Sequence, residues 1–392
     1  MNKRIAVIFE EDIYCQRGMF NAIRNRIKHL HDIAEYVIDV YVISSFEPWY
    51  IRRLRHTTYK EKVHSIYLDG IKYNVLWYNS TLIDYILKVK MHKSEIISKL
   101  FYNFVERKIR GYDLISAHST NCGALAMRIS KRDGIPFFVT WHGSDIHTTP
   151  FQNKHKYRII NSILKAATCN FFVSENLKQI GLTIAPNICC EVLYNGRNSS
   201  FVHFSDDKRR LLKRKYLVPD DTKVVAYAGH LIEVKNPQML APIFATVHNK
   251  FKKPVLFWVI GSGKMQSTVE DGCRQNGVIC KFWGNQPADI MPEFMNCIDV
   301  LVLPSRNEGL PLVVVEAIAC GSNAVGSDVG GIKEAIGKEN VFKHGDNFIQ
   351  DISTRIVDML NNNIEQTLKN VFSWERTAKI ENSHYIKYLK TE

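Results

Sequence analysis

Val300-Leu301-Val302-Leu303-Pro304-Ser305-Arg306-Asn307-Glu308-Gly309-Leu310-Pro311-Leu312-Val313-Val314-Val315-Glu316-Ala317-Ile318-Ala319-Cys320-Gly321 reads as a strand, a loop and a helix. The opening apolar run predicts a strand buried on both faces of a parallel sheet. Pro311 suits a first helical turn, where its missing N–H costs nothing, and Gly321 suits the helix exit. The loop Glu308-Gly309-Leu310 then presents free N–H groups at the positive end of a helix dipole, an anion site that needs no side chain. Glu308 lies at its mouth. Glu316 lies about one and a half turns into the helix, where a carboxylate can accept two hydrogen bonds from a vicinal diol such as a ribose. A Glu316 simply paired with a Lys is the plainer alternative.

Similar short apolar runs recur outward from this stretch. The first half has Ile5–Phe9, Val37–Ile43, Val75–Tyr78, Leu114–Ser116, Phe137–Thr140 and Asn170–Val173. The second has Val224–Ala228, Leu256–Ile260, Ile279–Trp283 and Val300–Leu303. The segments between them are long enough for crossover helices, which predicts βαβ units. The pattern restarts after the turn dipeptide Asn195-Gly196. The expectation is an α/β protein of two doubly wound, Rossmann-like halves, facing across a cleft, with ligands beyond the carboxyl ends of the strands.

Four further turns carry candidate chemistry. In Ala228-Gly229-His230-Leu231-Ile232-Glu233-Val234-Lys235 a strand ends at Gly229 and a Lys follows that could neutralise a diphosphate. Ile260-Gly261-Ser262-Gly263 is glycine-rich, but Gln266 and Met265 stand where a dinucleotide fingerprint and a P-loop need Gly and Ser or Thr. Trp141-His142-Gly143-Ser144-Asp145 ends a strand in a polar loop. Ser327-Asp328-Val329-Gly330-Gly331-Ile332-Lys333-Glu334 is another strand-to-helix turn with paired glycines, or more plainly an ordinary tight turn.

The 392 residues suit two cores. A net charge of +13 points to an anionic partner. Lys208 to Lys215 holds six cations in eight positions, and Thr81 to Arg110 holds seven cations against three acids, laced with Tyr, Leu, Ile and Phe. Each run also fits a solvated helix face. The nine Cys form no CxxC pair and fit a reducing compartment; Cys280 and Cys320 read as buried thiols. The apolar run after Arg4 is too short for a signal peptide, and no run reaches a membrane span. The expected location is cytoplasmic, at most peripheral on the inner face of the cytoplasmic membrane.

Taken in order, these pieces resemble the retaining glycosyltransferase family 4, with the GT-B fold. The resemblance spans nearly the whole chain and is strongest over 224–335. Its specific mark is the pair Glu308 and Glu316, with seven residues between them, within Pro-Ser-x-x-Glu-Gly-Leu-Pro. Lys235, Gly261-Ser262-Gly263, Phe282-Trp283-Gly284, Gly330-Gly331 and the His142 loop follow the family's order. The tail Phe372-Ser373-Trp374-Glu375 looks like the start of the family's last helix.

The resemblance implies an acceptor-side domain over 1–200, a donor-binding domain over 201–371, and a helix over 372–392 that crosses back to the first. It implies that Lys235 binds the donor diphosphate and Glu316 the ribose. Glu308, with the amides of Gly309 and Leu310, would hold the donor sugar and phosphate. Around them His230, Gly261, Trp283, Pro311 and Leu312 would line the donor site. His142 would lie near the reacting sugar, so that His142 and Glu308 are the catalytic candidates, with Gly18 and Asp145 in the acceptor-side loops. No metal and no cofactor are expected, since no Asp-x-Asp occurs. The implied partners are a UDP- or GDP-sugar donor, a glycan or lipid-linked glycan acceptor and an anionic membrane surface, but no nucleic acid. The implied activity is retaining transfer in bacterial surface polysaccharide, lipopolysaccharide or capsule synthesis. A GT-B nucleotide-sugar epimerase or hydrolase, and a non-catalytic nucleotide-sugar-binding partner subunit, stand beside it. The chain departs from the family in three places. His230 replaces the usual Arg and supplies less charge at neutral pH, the double glycine after the first strand is only Gly18, and the hinge reads Asn195-Gly196-Arg197-Asn198.

Overall fold

A computed structural model describes residues 3–14, 18–55, 59, 61–79, 81 and 95–389. The chain divides into two compact units, one formed by 1–173, 177–193 and 375–392, the other by 174–176 and 194–374.

The first unit is built on eight strands: β1 Arg4–Glu10, β2 Val37–Phe46, β3 Ser65–Leu68, β4 Ile71–Asn79, β5 Leu114–His118, β6 Phe137–Trp141, β7 Cys169–Phe172 and β8 Cys190–Val192. Their order is β3-β4-β2-β1-β5-β6-β7-β8. Among the described residues only the β3–β4 pair of this sheet is antiparallel. The central strands β5, β6 and β7 are buried at every position, as strands covered on both faces must be. The helix Gly18–Ile33 buries Phe20, Ile23, Ile27 and Leu30, the i, i+3, i+7 stripe of an amphipathic helix. Gly18 is the first residue of this helix and is exposed.

The helix Trp374–Leu389 completes the same core with Ala378, Tyr385 and Leu389. Its Glu381 accepts a hydrogen bond from Arg26, and both side chains are almost fully buried. Tyr385 Oη donates to Glu381 and lies 2.7 Å from Ser116 Oγ.

The second unit holds β9 Lys223–Ala228, β10 Val255–Ile260, β11 Cys280–Gly284, β12 Val300–Leu303, β13 Asn323–Ser327 and β14 Val341–Phe342. All are parallel, in the order β11-β10-β9-β12-β13-β14. Ile279, read as part of a strand, lies outside β11 and is 91% exposed. Cys320 is buried, whereas Cys280 is only half-buried.

The cationic run 208–215 falls on the helix Asp206–Lys215. Lys213 and Lys215 pair with Asp299 and Glu293 at 3.3 and 2.5 Å, and Arg210 pairs with Asp207, so the run is a surface face with its own counter-charges. Of the other run, Lys88, Lys90 and Lys93 lie outside the described residues. Among the described residues no helix is long and apolar enough to cross a membrane.

Candidate active site

In the second unit the sheet order reverses between β9 and β12, which sit side by side although the 71 residues 229–299 lie between them in sequence. Such a switch point leaves an opening beyond the carboxyl ends of the two strands. Both of the loops that leave it carry predicted site residues. After β9 come Gly229, His230 and a one-turn helix Glu233–Lys235. After β12 comes the segment from Pro304 to Pro311.

Backbone contacts tie these loops together. Arg306 N–H donates to Val234 O at 2.9 Å, and Arg306 Nε donates to Asn236 Oδ1 at 3.2 Å. Lys235 Nζ thereby reaches both oxygens of the Glu308 carboxylate, at 2.7 and 2.8 Å. Ser305 Oγ donates to the same carboxylate at 2.7 Å, and His344 Nε2 lies 3.0 Å from Ser305 O. Glu308 is 8% exposed, so its charge is held by these two donors.

The paired glycines Gly330 and Gly331 brace this loop from below. A Cβ at Gly330 would overlap the carbonyl oxygen of Glu308, and Gly330 has φ +53°, which favours glycine. Gly331 N–H donates to Gly309 O at 2.6 Å, and Asn195 Nδ2 donates to Leu310 O at 3.0 Å. The carbonyls of Gly309 and Leu310 are thus engaged, while their N–H groups donate to no acceptor among the described residues. Pro311 stands one residue before the helix Leu312–Ala319 rather than in its first turn. Leu312 opens that helix, and Gly321, at φ +83°, follows its end.

Glu316 lies on the fifth residue of this helix and is half-buried. Its side chain makes no ion pair or hydrogen bond among the described residues, so the plainer alternative of a Lys partner does not hold there. Burial alone pushes its carboxyl up to about 7.

Two residues expected at the donor have packing roles. Gly261 sits where the turns after β9 and β10 touch: a Cβ there would strike Gly229 O, and Leu231 N–H donates to Ser262 O at 3.0 Å. The Trp283 ring packs edge-on against Tyr216, Trp258 and Phe294, with centroids 5.0–5.5 Å apart.

In the first unit the switch lies between β1 and β5. His142 follows β6, and its Nε2 is 2.9 Å from Nδ1 of His118, the last residue of β5. Burial, and then the charge of Arg26, push His142 down to about 3; burial, with the neighbouring His142 and Arg26, pushes His118 well below its usual range. Both rings are neutral at pH 7. Asp145 turns inward, its carboxylate accepting the N–H groups of His142 and Gly143 at 3.0 and 2.8 Å, so it shapes the loop. Its burial pushes the carboxyl up, against those bonds. His118, Ser305 and Asn236 were not among the expected site residues. Ser305 stands inside the quoted motif; His118 hides at the end of a buried strand.

Residues 208–373 match the family described as glycosyl transferases group 1. The second unit thus carries a group 1 glycosyltransferase domain. It is 27% identical over 227 residues to the putative teichuronic acid biosynthesis glycosyltransferase TuaC of Bacillus subtilis, covering 58% of this chain and 56% of that protein. The chain thus spans a little over half the length of that relative. Two solved structures are similar over almost the whole chain. Sucrose-phosphate synthase from Thermosynechococcus elongatus has a TM-score of 0.74 at 18% identity, covering 98% of each chain. Anabaena HepE in complex with UDP-glucose has 0.66 at 16%, covering 99% of this chain and 97% of that one. At such identities the likeness is one of fold, and that fold is GT-B.

Proposed function

We propose that this protein is a family 4 enzyme that transfers a glycosyl group, with retention, from a nucleoside diphosphate sugar to a hydroxyl of a glycan or lipid-linked glycan. The observation that carries this is the meeting of Lys235, Glu308 and the open amides of Gly309 and Leu310 at the switch point of the second sheet. An ammonium, two N–H groups and a helix N-terminus suit a diphosphate. In the free protein Lys235 is occupied by Glu308. An arriving diphosphate competes for the ammonium and frees the Glu308 carboxylate for sugar hydroxyls. Glu316, four residues further on than Leu312, offers an unengaged carboxylate for a ribose diol, and HepE, of the same fold, is described with UDP-glucose bound.

As the sugar departs, negative charge grows on the leaving phosphate, where Lys235 and the loop amides stabilise it. The leaving oxygen then accepts the proton of the incoming hydroxyl on the same face, which gives retention. The lack of an Asp-x-Asp supports transfer without a metal clamp of that type. A neutral His142 serves as a hydrogen-bonding group beside the reacting sugar. The naming of TuaC for teichuronic acid biosynthesis supports a surface polysaccharide as product. The cationic stretch around Lys88, Lys90 and Lys93 carries the accompanying proposal of a cytoplasmic enzyme that docks on an anionic membrane.

The test is a panel of UDP- and GDP-sugars, screened first for thermal stabilisation and then for transfer, with Lys235→Ala in parallel. Losing one charged contact removes roughly 1.5–3 kcal/mol, a ten- to hundred-fold fall in donor affinity. A Lys235→Ala protein with unchanged donor KM and turnover contradicts the assignment.

A further inference from the structure

Two histidines meet where β5 and β6 end. His118 is 2% exposed, and Phe9 packs edge-on against it at 6.2 Å. Its Nδ1 and His142 Nε2 share the 2.9 Å hydrogen bond, and the rings overlap with centroids 5.2 Å apart and planes 29° from parallel. The backbone that carries His142 is fixed in turn by the Asp145 carboxylate. The charged side chain that acts on both rings is the buried Arg26, a cation that, with burial, keeps them neutral.

A neutral imidazole has one N–H and one lone pair. One hydrogen bond between two such rings therefore ties the tautomer of each to that of the other. If His142 Nε2 donates, His118 must carry its own proton on Nε2, and His142 Nδ1 is left an acceptor. If His118 Nδ1 donates, both rings are protonated on Nδ1, and His142 Nδ1 is left a donor. In either arrangement the two rings have the same tautomer, and neither can change alone.

We propose that His118 is a positioning residue that locks His142 in one tautomer, giving His142 Nδ1 a single, fixed hydrogen-bonding character toward a substrate hydroxyl. A hydroxyl can both donate and accept, so a locked neighbour dictates which way its proton turns, and hence which lone pair is free to react. The kinetic part of this rests on the proposed place of His142 beside the reacting sugar; the tautomer lock itself does not.

The experiment is nitrogen-15 NMR of the histidines in the full chain at pH 7, for the wild type, His118→Phe and His118→Asn. The wild type is expected to show two neutral rings with matching tautomers. In His118→Phe the His142 signals should average between tautomers; in His118→Asn, whose amide sets an N or O near the former Nδ1, a single form should return. In transfer assays His118→Phe should lower kcat roughly 10- to 100-fold, the scale of a misplaced reacting group, with donor KM changed less than about two-fold, and His118→Asn should recover part of it. Unlike tautomers on the two wild-type rings, or an averaging His142, overturn the proposal even if His118→Phe fails to fold. Wild-type kcat in a folded His118→Phe protein overturns its kinetic part. If the wild type transfers nothing from any nucleotide sugar, the functional reading falls and the NMR comparison alone decides the lock.

Discussion

Replacing Glu316 by Gln keeps the shape of the side chain and removes its charge. In the unliganded protein that charge is a liability, since burial lifts the carboxyl from its ordinary 4.5 to about 7 with no counter-charge on it. At 1.36 kcal/mol per tenfold change in proton affinity, the difference corresponds to roughly 3 kcal/mol of destabilisation once the group is fully ionised. The folded value lies above the unfolded one. The wild type therefore keeps its full stability below about pH 4.5 and loses this amount as pH rises to and beyond 7. Glu316→Gln has no such loss. The two melting curves should coincide near pH 4.5 and separate to a plateau above pH 8, with the variant melting roughly 5–10 °C higher for a unit of this size. Donor binding should move the other way. A ribose diol loses hydrogen bonds to a charged acceptor, roughly 1.5–3 kcal/mol or ten- to hundred-fold in UDP affinity. Wild-type affinity should also rise between pH 6 and 8 as Glu316 ionises. Melts across pH and titration calorimetry with UDP read both effects. A variant that melts at or below the wild type at pH 8, or that binds UDP equally well, refutes the reasoning.

Three other perturbations test neighbouring parts. Gly330→Ala places a Cβ on a backbone at φ +53° and against Glu308 O; the backbone alone costs about 1–2 kcal/mol, and the displaced loop should abolish UDP binding by calorimetry, whereas wild-type affinity would show that the loop has room to spare. Arg26→Met leaves the Glu381 carboxylate buried without its cation, and should lower stability by about 3–5 kcal/mol in denaturant melts; a loss under about 1 kcal/mol means that Tyr385 suffices for that charge. Transfer assayed in excess EDTA should keep its rate. Complete loss, restored by Mg²⁺ or Mn²⁺, means that a metal takes part.

The strands legible in the sequence are those that are buried along their length and rich in Val, Ile and Phe. β3 and β8 escape because they are short and half-buried at most positions, so no apolar run marks them. β13 escapes for the opposite reason: Asn323-Ala324-Val325-Gly326-Ser327 is wholly buried, but its polar and small residues are chosen by their neighbours. Asn323 bonds Ile364 O, and a side chain at Gly326 would crowd Leu303. At the site, residue types and order pointed to Lys235, Glu308 and Glu316, yet not to the Lys235–Glu308 ion pair, which depends on β9 and β12 being neighbours. The glycine pairs at 261–263 and 330–331 were legible as turns; that each is required by the backbone of another turn was not. His118 gave no signal, because a lone His at the end of an apolar strand looks like a satisfied core residue.

The helix Trp374–Leu389 belongs to the first unit, although everything from Tyr194 to Trp374 belongs to the second. The second unit is therefore inserted, in chain terms, within the first. On a ribosome the usual sequence of events is that the earlier domain folds first. Here the earlier domain has to wait: Ala378, Tyr385 and Leu389 of its core and the counter-ion of Arg26 are synthesised only after the whole of the second unit. The later-made but contiguous segment can close its own sheet sooner. Until residue 389 has left the tunnel, the first unit lacks this part of its core, and the Arg26 guanidinium lacks its carboxylate partner.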